Sequence, residues 1–350
     1  MVQKRLFLVL LCIPALTGVR AQISGGQHVF QFLQLSPAAR ITALGGAQIA
    51  VQDDDPVFAA LNPAALNPSM DGMLTFQHNF YLTDVQHGYA AYAWSMPGIG
   101  FDAHAGIQYT DYGDIPMADE TGQVIGQINA SETAFLVGAG RKLSERITLG
   151  ANLRFAVSAL DVYKSSALST DIGGMYADTA RRFTVGLVWR NLGVQVNPYN
   201  DTREDLLSDL QLGFSKRLKY LPFRFTIIAH RLNQWDLRYD DPDAEGDDIL
   251  VFGGEADNNT GNPGVDNFFR HLIFSGEFLF GKNDGFRLRF AYNHLRKREL
   301  TVNDYRSLAG FSGGIGIRTK KIGIDAGFAS YHLGGSVFHL GVGTNLKEIF

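Results

Sequence analysis

The sequence predicts an all-β protein, a transmembrane antiparallel β-barrel of about fourteen strands closed around an N-terminal plug or hatch segment. Three observations carry this. Some fourteen stretches between residues 73 and 346 alternate in side-chain polarity, clearest at 99–109. There Ile99, Phe101, Ala103, Ala105, Ile107 and Tyr109 interleave with Gly100, Asp102, His104, Gly106 and Gln108. Successive strand side chains point to opposite faces, so such a run has one apolar and one wet side. The second observation is the rhythm of the links, short and then long by turns. The third is the pair of ends: an export signal at the start and the aromatic Phe350 as a barrel C-terminal signal.

Composition narrows the choice. The 350 residues fit one large domain or two ordinary ones. Only 19% is charged and 12% is aromatic, and 39 glycines suit strands and tight turns. No apolar run reaches the roughly 18 residues of a spanning helix. A net charge of -4 offers no basic footprint, so nucleic acid is not expected as a partner.

Residues 1–21 read as a signal peptide. Lys4 and Arg5 form its positive start, 6–16 its apolar core, and Val19, Arg20 and Ala21 a small-residue cleavage site. Cys12, the single cysteine, lies in that core behind the bulky Leu10 and Leu11, where lipid attachment would want small residues. An exported chain without a thiol forms no disulfide, so burial and hydrogen-bond ladders must hold it.

Residues 22–71 are predicted as the plug. They contain Ala43-Leu44-Gly45-Gly46-Ala47, the acidic Asp53, Asp54 and Asp55, and two Leu-Asn-Pro elements at 61–63 and 66–68. Pro and Asn recur too often for long regular elements. One short helix is expected at 57–61, with Asp55 as its N-cap and Pro56 in its first turn.

The barrel proper is assigned to 72–350. Strands are expected at 73–81, 87–95, 97–110, 132–142, 146–158, 166–178, 182–192, 207–218, 222–232, 269–280, 284–295, 306–318, 321–331 and 336–346. Most have the nine to eleven residues or more that a tilted strand needs to cross a bilayer. Every second link, beginning at Met96, is short, whereas 111–131, 193–206 and 233–268 are long. Short turns on one rim and long loops on the other are the outer-membrane pattern, with the short rim in the periplasm. Both chain ends are then expected on the periplasmic side.

Phasing the strands sorts their charges. Asp102, Arg154, Asp171, Arg190, Asp209, Arg224, Glu277, Arg287, Arg289 and Asp325 all fall on the lumenal face. An Arg facing lipid at mid-membrane would cost about 2–4 kcal/mol, so five outward would be prohibitive. Balanced signs imply ion pairs across the interior or with the plug, hence a blocked lumen. A soluble sandwich with one solvated face would also alternate, but would leave the signal, the link asymmetry and the aromatic end unexplained.

The stretch 233–267 is strongly acidic. Asp240, Asp241, Asp243, Glu245, Asp247 and Asp248 at its centre are candidates for docking a partner. Carboxylates at alternate positions could hold Ca²⁺, but acidic runs are commonly solvated, repelling loops, and no metal ligand is assigned.

Ser-x-x-Lys, His-Glu-x-x-His and Walker-loop signatures are missing. No catalytic residue and no cofactor is expected. His78, His104, His230 and His271 are read as polar lumen lining. Gly313, Gly314 and Gly316 lie in a strand, where they allow the wall to bend rather than cradle phosphate.

A family resemblance enters at 32–64. Pro37-Ala38-Ala39-Arg40, Ala43 to Ala47 with Gly45 and Gly46, Ala50, Asp53 to Asp55, and Asn62-Pro63-Ala64 resemble the N-terminal signature of the FadL-like outer-membrane barrels of Bacteroidetes. The similarity is greatest to the branch serving type IX secretion. In layout it spans the chain; its sharp motifs occupy barely a tenth. The resemblance implies a non-catalytic barrel, integral and multi-pass in the cell outer membrane. It further implies a role in an attachment complex, anchoring a PorZ-like surface protein and, through it, PorU-like and PorV-like components. Membrane lipid and lipopolysaccharide would be its other partners. The alternative within the same family is a transporter of hydrophobic small molecules.

Overall fold

The computed structural model describes residues 28–81, 84–200, 202–238, 263–300, 308–332 and 335–349. The signal segment, the plug's first six residues, Asp240 to Asp248 and Phe350 lie outside them. Fourteen antiparallel strands close into a barrel in chain order. They are β1 (Met73–Phe80), β2 (Gln86–Met96), β3 (Phe101–Ala118), β4 (Val124–Lys142), β5 (Ile147–Leu160), β6 (Tyr163–Asp178) and β7 (Phe183–Asn197). Then come β8 (Asp209–Arg217), β9 (Phe223–Ala229), β10 (Leu272–Phe280), β11 (Phe286–Asn293), β12 (Phe311–Arg318), β13 (Ile322–His332) and β14 (Gly335–Asn345). Closure comes when β14 pairs with β1, His339 opposite Asn79. Among the described residues, closure leaves no strand of the barrel with an unpaired edge.

Alternation produces two solvation environments. On β4 and β5, Phe135, Val137, Leu149, Leu153 and Phe155 are exposed, while Ala134, Leu136, Asn152, Arg154 and Ala156 are buried. The exposed set fits lipid contact, since a barrel has its core inside. Tyr176, Phe183, Phe214 and Phe225 form a chain of ring contacts, with centroids 5.8, 6.1 and 6.0 Å apart, across β6 to β9 close to the short turns. Aromatic bands of this kind mark the level of a membrane interface.

Link lengths follow the expected rhythm, with two differences. The short rim carries the turns at 97–100, 143–146, 179–182, 218–222, 281–285 and 319–321. On the opposite rim, 111–131 is not a loop. The β3–β4 ladder shifts register at Asp111 and resumes from Asp114 to Ala118, opposite Val124. Gly113, at φ +69°, permits that bulge, and the Asp119 carboxylate accepts the amides of Thr121 and Gln123 to close the turn. Apolar Ile115, Met117, Val124 and Ile125 supply the strand tendency, so the hairpin rises above its neighbours. The wall is consequently uneven, 18 and 19 residues in β3 and β4 but 7 in β9.

The second difference lies between β11 and β12. Strand 284–295 was expected, yet the chain leaves the ladder at Asn293. Its side chain accepts the Arg296 amide and starts helix α4 (His294–Glu299). Similarly β9 stops at Ala229, because Arg231 takes a left-handed φ of +53° and donates its amide to Asp209.

Residues 28–71 lie inside the barrel. Helices α1 (Ala39–Ala43) and α2 (Val57–Leu61) are wholly buried there. Asp55 does accept the Val57 amide at the start of α2, as expected, at 3.3 Å. The described start of this segment lies at the rim opposite Asp71. His28 and Val29 pair with Asp205 and Leu206, in the long-link rim between β7 and β8. From there the segment descends to Asp71, whose carboxylate meets Lys347 at the short rim. The described plug thus traverses the lumen from one rim to the other.

A charge on the outer face tests the two-sided wall. Leu153→Arg, at mid-strand, is expected to lower folded stability in lipid bilayers by about 2–4 kcal/mol, whereas Ile147→Arg, on the same face at the rim, costs at most about 1 kcal/mol. Equal losses in denaturant titrations of the liposome-folded protein would contradict this orientation.

Candidate functional site: the latched plug and the long rim

A helix of five residues cannot hold itself together in water, so α1 depends on what surrounds it. Arg40, on α1, is 1% exposed. Its guanidinium donates from Nε to Glu277 Oε1 at 3.2 Å and from Nη2 to Asp53 Oδ2 at 2.7 Å and Glu277 Oε2 at 3.1 Å. It also lies over the Phe58 ring at 4.7 Å, with Asp55 at 3.6 Å. Glu277 in turn accepts from Arg224 at 2.5 Å and from Arg289 at 2.8 Å. Arg289 continues to Asp325, Arg287 reaches Asp53 at 3.8 Å, and Arg318 pairs with Asp54.

Five arginines therefore face five carboxylates in one connected cluster. Burial by itself would drive the proton off Arg40, but Glu277, Asp53 and Asp55 outweigh it and hold the guanidinium well above its ordinary pKa. Burial likewise opposes charge on Asp53, yet Arg40, Arg224 and Arg287 keep its carboxyl well below the usual range. Burial prevails at Asp55, whose pKa is raised. The cluster is a latch: plug residues supply Arg40 and Asp53 to Asp55, and the wall supplies the rest.

Two further charged stations lie deeper. Arg154 donates to Asp171 at 3.1 Å, to Asn191 at 2.5 Å and to the Ala60 carbonyl at 3.4 Å. The wall bulges here, with Asn191 at φ +54° giving its amide to Asp171. Arg190 reaches the Leu33 carbonyl at 3.4 Å and lies opposite Asp209 in the ladder. Asp102, the tenth predicted lumenal charge, accepts from Ser95 near the short rim.

Backbone fit complements the charges. The Asn62-Pro63-Ala64 turn is held by Asn62, which accepts the Ala64 amide and donates to the Ile49 carbonyl. It rests on Gly140, Gly150 and Gly173, which stand directly opposite one another on β4, β5 and β6. A Cβ on Gly150 would lie 2.5 Å from the Pro63 carbonyl carbon, and one on Gly173 2.1 Å from Asn62 Oδ1. Gly186 and Gly213, again in register, face Ile49 and Ala50. Gly314 and Gly327 face α1, meeting Ala43 and Ala39. Gly45 and Gly46, at φ +92° and +94°, turn the chain after α1 where other residues would be strained.

Placement of the predicted residues is therefore uneven. Arg40, Asp53 and the lumenal charges Arg224, Glu277, Arg287, Arg289 and Asp325 converge on one latch. Arg154 with Asp171, and Arg190 with Asp209, form separate stations. The docking carboxylates Asp240 to Asp248 and the C-terminal Phe350 lie outside the described residues. His104 faces the lumen, bonded to Asn152. His78 does not; it points outward to Tyr109, and His230 and His271 sit at the rim just beyond strand ends. Sequence reasoning missed Arg318 and the glycine rows. Glycine recurring at inward strand positions is the signal that could have revealed the rows.

The fold defines a class: a closed, fourteen-stranded antiparallel β-barrel. No protein-family model matches the chain and no curated protein does. Among solved structures it is similar to the monoaromatic hydrocarbon channel CymD, with a TM-score of 0.55 and 13% identity over 89% of this chain and 98% of that one. The Pseudomonas putida toluene transporter TodX gives 0.54 and 10% over 88% and 97%. A Pseudomonas aeruginosa FadL homologue gives 0.50 and 11% over 88% and 98%. The shared feature is a FadL-like fold.

Two substitutions test the latch. Glu277→Gln leaves Arg40, Arg224 and Arg289 short of a counter-charge and is expected to cost about 3–5 kcal/mol in detergent unfolding, the usual penalty for breaking a buried pair. Gly150→Val should displace the Asn62–Ala64 turn, with a loss of about 1–3 kcal/mol, and open the plug to added protease; unchanged protection would contradict the seating.

Proposed function

We propose that this chain is an integral, multi-pass protein of the outer membrane that performs no catalysis and works as a fixed surface anchor. In this reading it is similar in role to PorQ of the type IX secretion system. It would hold a PorZ-like protein at the cell surface beside PorU-like and PorV-like components, where secreted cargo is attached to lipopolysaccharide. The observation that carries it is the latch: the interior is occupied by a segment of the same chain, tied to the wall by the ion pairs Arg40–Glu277, Asp53–Arg224 and Asp53–Arg287. A lumen so filled leaves the long rim as the surface for partners. That rim offers the raised β3–β4 hairpin and the link from 230 to 271, within which Asp240 to Asp248 would meet a basic partner.

A second reading has its own support. The similar solved structures are described as hydrocarbon channels and a toluene transporter, and these comparisons favour passage of hydrophobic small molecules over attachment. At 10–13% identity the likeness reaches the fold and not the cargo. Transport would require the plug to shift against the latch.

Deleting 239–262 spares the packed residues on either side and separates the readings. For an anchor, retention of a large exported protein at the cell surface, and its co-purification with the barrel, should fall at least tenfold. Toluene or fatty-acid uptake should be no different from that of cells lacking the barrel. Full partner retention after the deletion would remove this link from the proposal, and barrel-dependent uptake would establish the transporter.

A further inference from the structure

The segment 231–238 crosses the long rim and is fastened to helix α3 (Pro263–Arg270) and the residue following it. Leu237 is 1% exposed. Its amide donates to Asn267 Oδ1 at 2.9 Å, and its carbonyl accepts from Arg270 at 3.2 Å. Asn267 uses its amide nitrogen on the Trp235 carbonyl at 2.6 Å. The remaining fastening is His271, 2% exposed, between α3 and β10.

His271 Nδ1 lies 2.8 Å from the His230 carbonyl oxygen, and Nε2 lies 3.0 Å from the Trp235 carbonyl oxygen. Carbonyl oxygens only accept, so each ring nitrogen must carry a proton for both bonds to form. A neutral imidazole has one N–H and would turn a lone pair toward a carbonyl oxygen. The Trp235 indole stacks on the same ring, 5.1 Å between centroids and 21° between planes, the arrangement that attracts a cation.

We propose that His271 is a proton-operated clasp: as imidazolium it ties the strap 231–238 to the α3–β10 corner, and on deprotonation it releases one of its two carbonyls. The strap then loosens at Trp235. The clasp stands on these contacts alone and does not rest on the anchor reading.

Other charged groups surround it. From the strap and β9 come His230, with its buried Nε2, and Arg231, paired with Glu299 of α4 at 3.8 Å. Asp209 of β8 accepts the Arg231 amide. On α3, Arg270 is paired with Asp266, which also holds His294 and Arg298 of α4. Each of these carboxylates already has a partner, and none accepts a proton from the His271 ring.

The full-length mature barrel in detergent micelles, with Trp94→Phe and Trp189→Phe leaving Trp235 as the sole indole, provides the test. Trp235 emission should be quenched at pH 5, where the stacked imidazolium withdraws excitation, and should rise at least twofold by pH 9 in one transition. Trypsin cleavage after Arg238, measured relative to the His271→Gln variant at each pH, should accelerate several-fold across the same range. In the otherwise unaltered protein, ¹⁵N spectra of the His271 ring at pH 5 should show two protonated nitrogens. A flat emission profile, a transition that persists in His271→Gln, or a ring with one unprotonated nitrogen at pH 5 would each overturn the clasp. The spectra need no substitution at His271, so they decide the matter even if that variant fails to fold.

Discussion

A charge taken out of water must be neutralised nearby, and most of this barrel's interior follows from that one requirement. Arg40 is the centre of it. A guanidinium with 1% exposure would be untenable without Glu277 and Asp53. Glu277, accepting from three arginines, is equally untenable without them. The latch is thus mutual. The plug needs the wall's charges, and the wall's arginines need the plug's Asp53, Asp54 and Asp55. A barrel of this sequence with its plug withdrawn would expose Arg224, Arg287 and Arg318 to a water-filled lumen with too few carboxylates.

Packing and charge play separate parts in holding the plug. Electrostatics concentrates near the short rim, where Arg40 of α1 reaches Glu277 of β10 and the arginines of β9 and β11 join it. Close approach concentrates on the opposite wall, where three in-register glycines of β4 to β6 receive a proline turn. Removing a side chain from each strand lets backbone meet backbone without a cavity, and interiors tolerate voids poorly. The Asn-Pro-Ala element is therefore a fitted turn, with Asn62 closing its own cap and Pro63 lying against the glycine floor. Above it, the N-terminal strand pair with Asp205 and Leu206 fixes the first described residues at the far rim.

Much of the wall was legible in the chain. Alternation placed Leu153 outward and Arg154 inward because a strand has no other way to present them. Turns such as 281–285 were legible from Gly281 and Asp284. The errors share a cause. The hairpin beyond Asp111 was read as a loop because Gly113 and Asp114 break the alternation, yet a bulge absorbs one such residue and lets pairing continue. The end of β11 was overrun because His294 and Leu295 continue an alternating pattern, while Asn293 had already capped a helix. His78 was misassigned because a polar residue was presumed to face the lumen, whereas its partner Tyr109 stands on the outer face.

The sequence by itself determined the two-sided wall, the strand count, the rim asymmetry and the inward charges, since each depends on local order and the period of two. Only the tertiary structure decided which charge meets which. It joined Arg40 to Glu277 across 237 positions, brought Gly140, Gly150 and Gly173 under one proline, and placed His271 between two carbonyls. Those relations depend on strand register and on the plug's path through the lumen. Both are set by closure of the whole barrel, a long-range condition that no window of sequence contains.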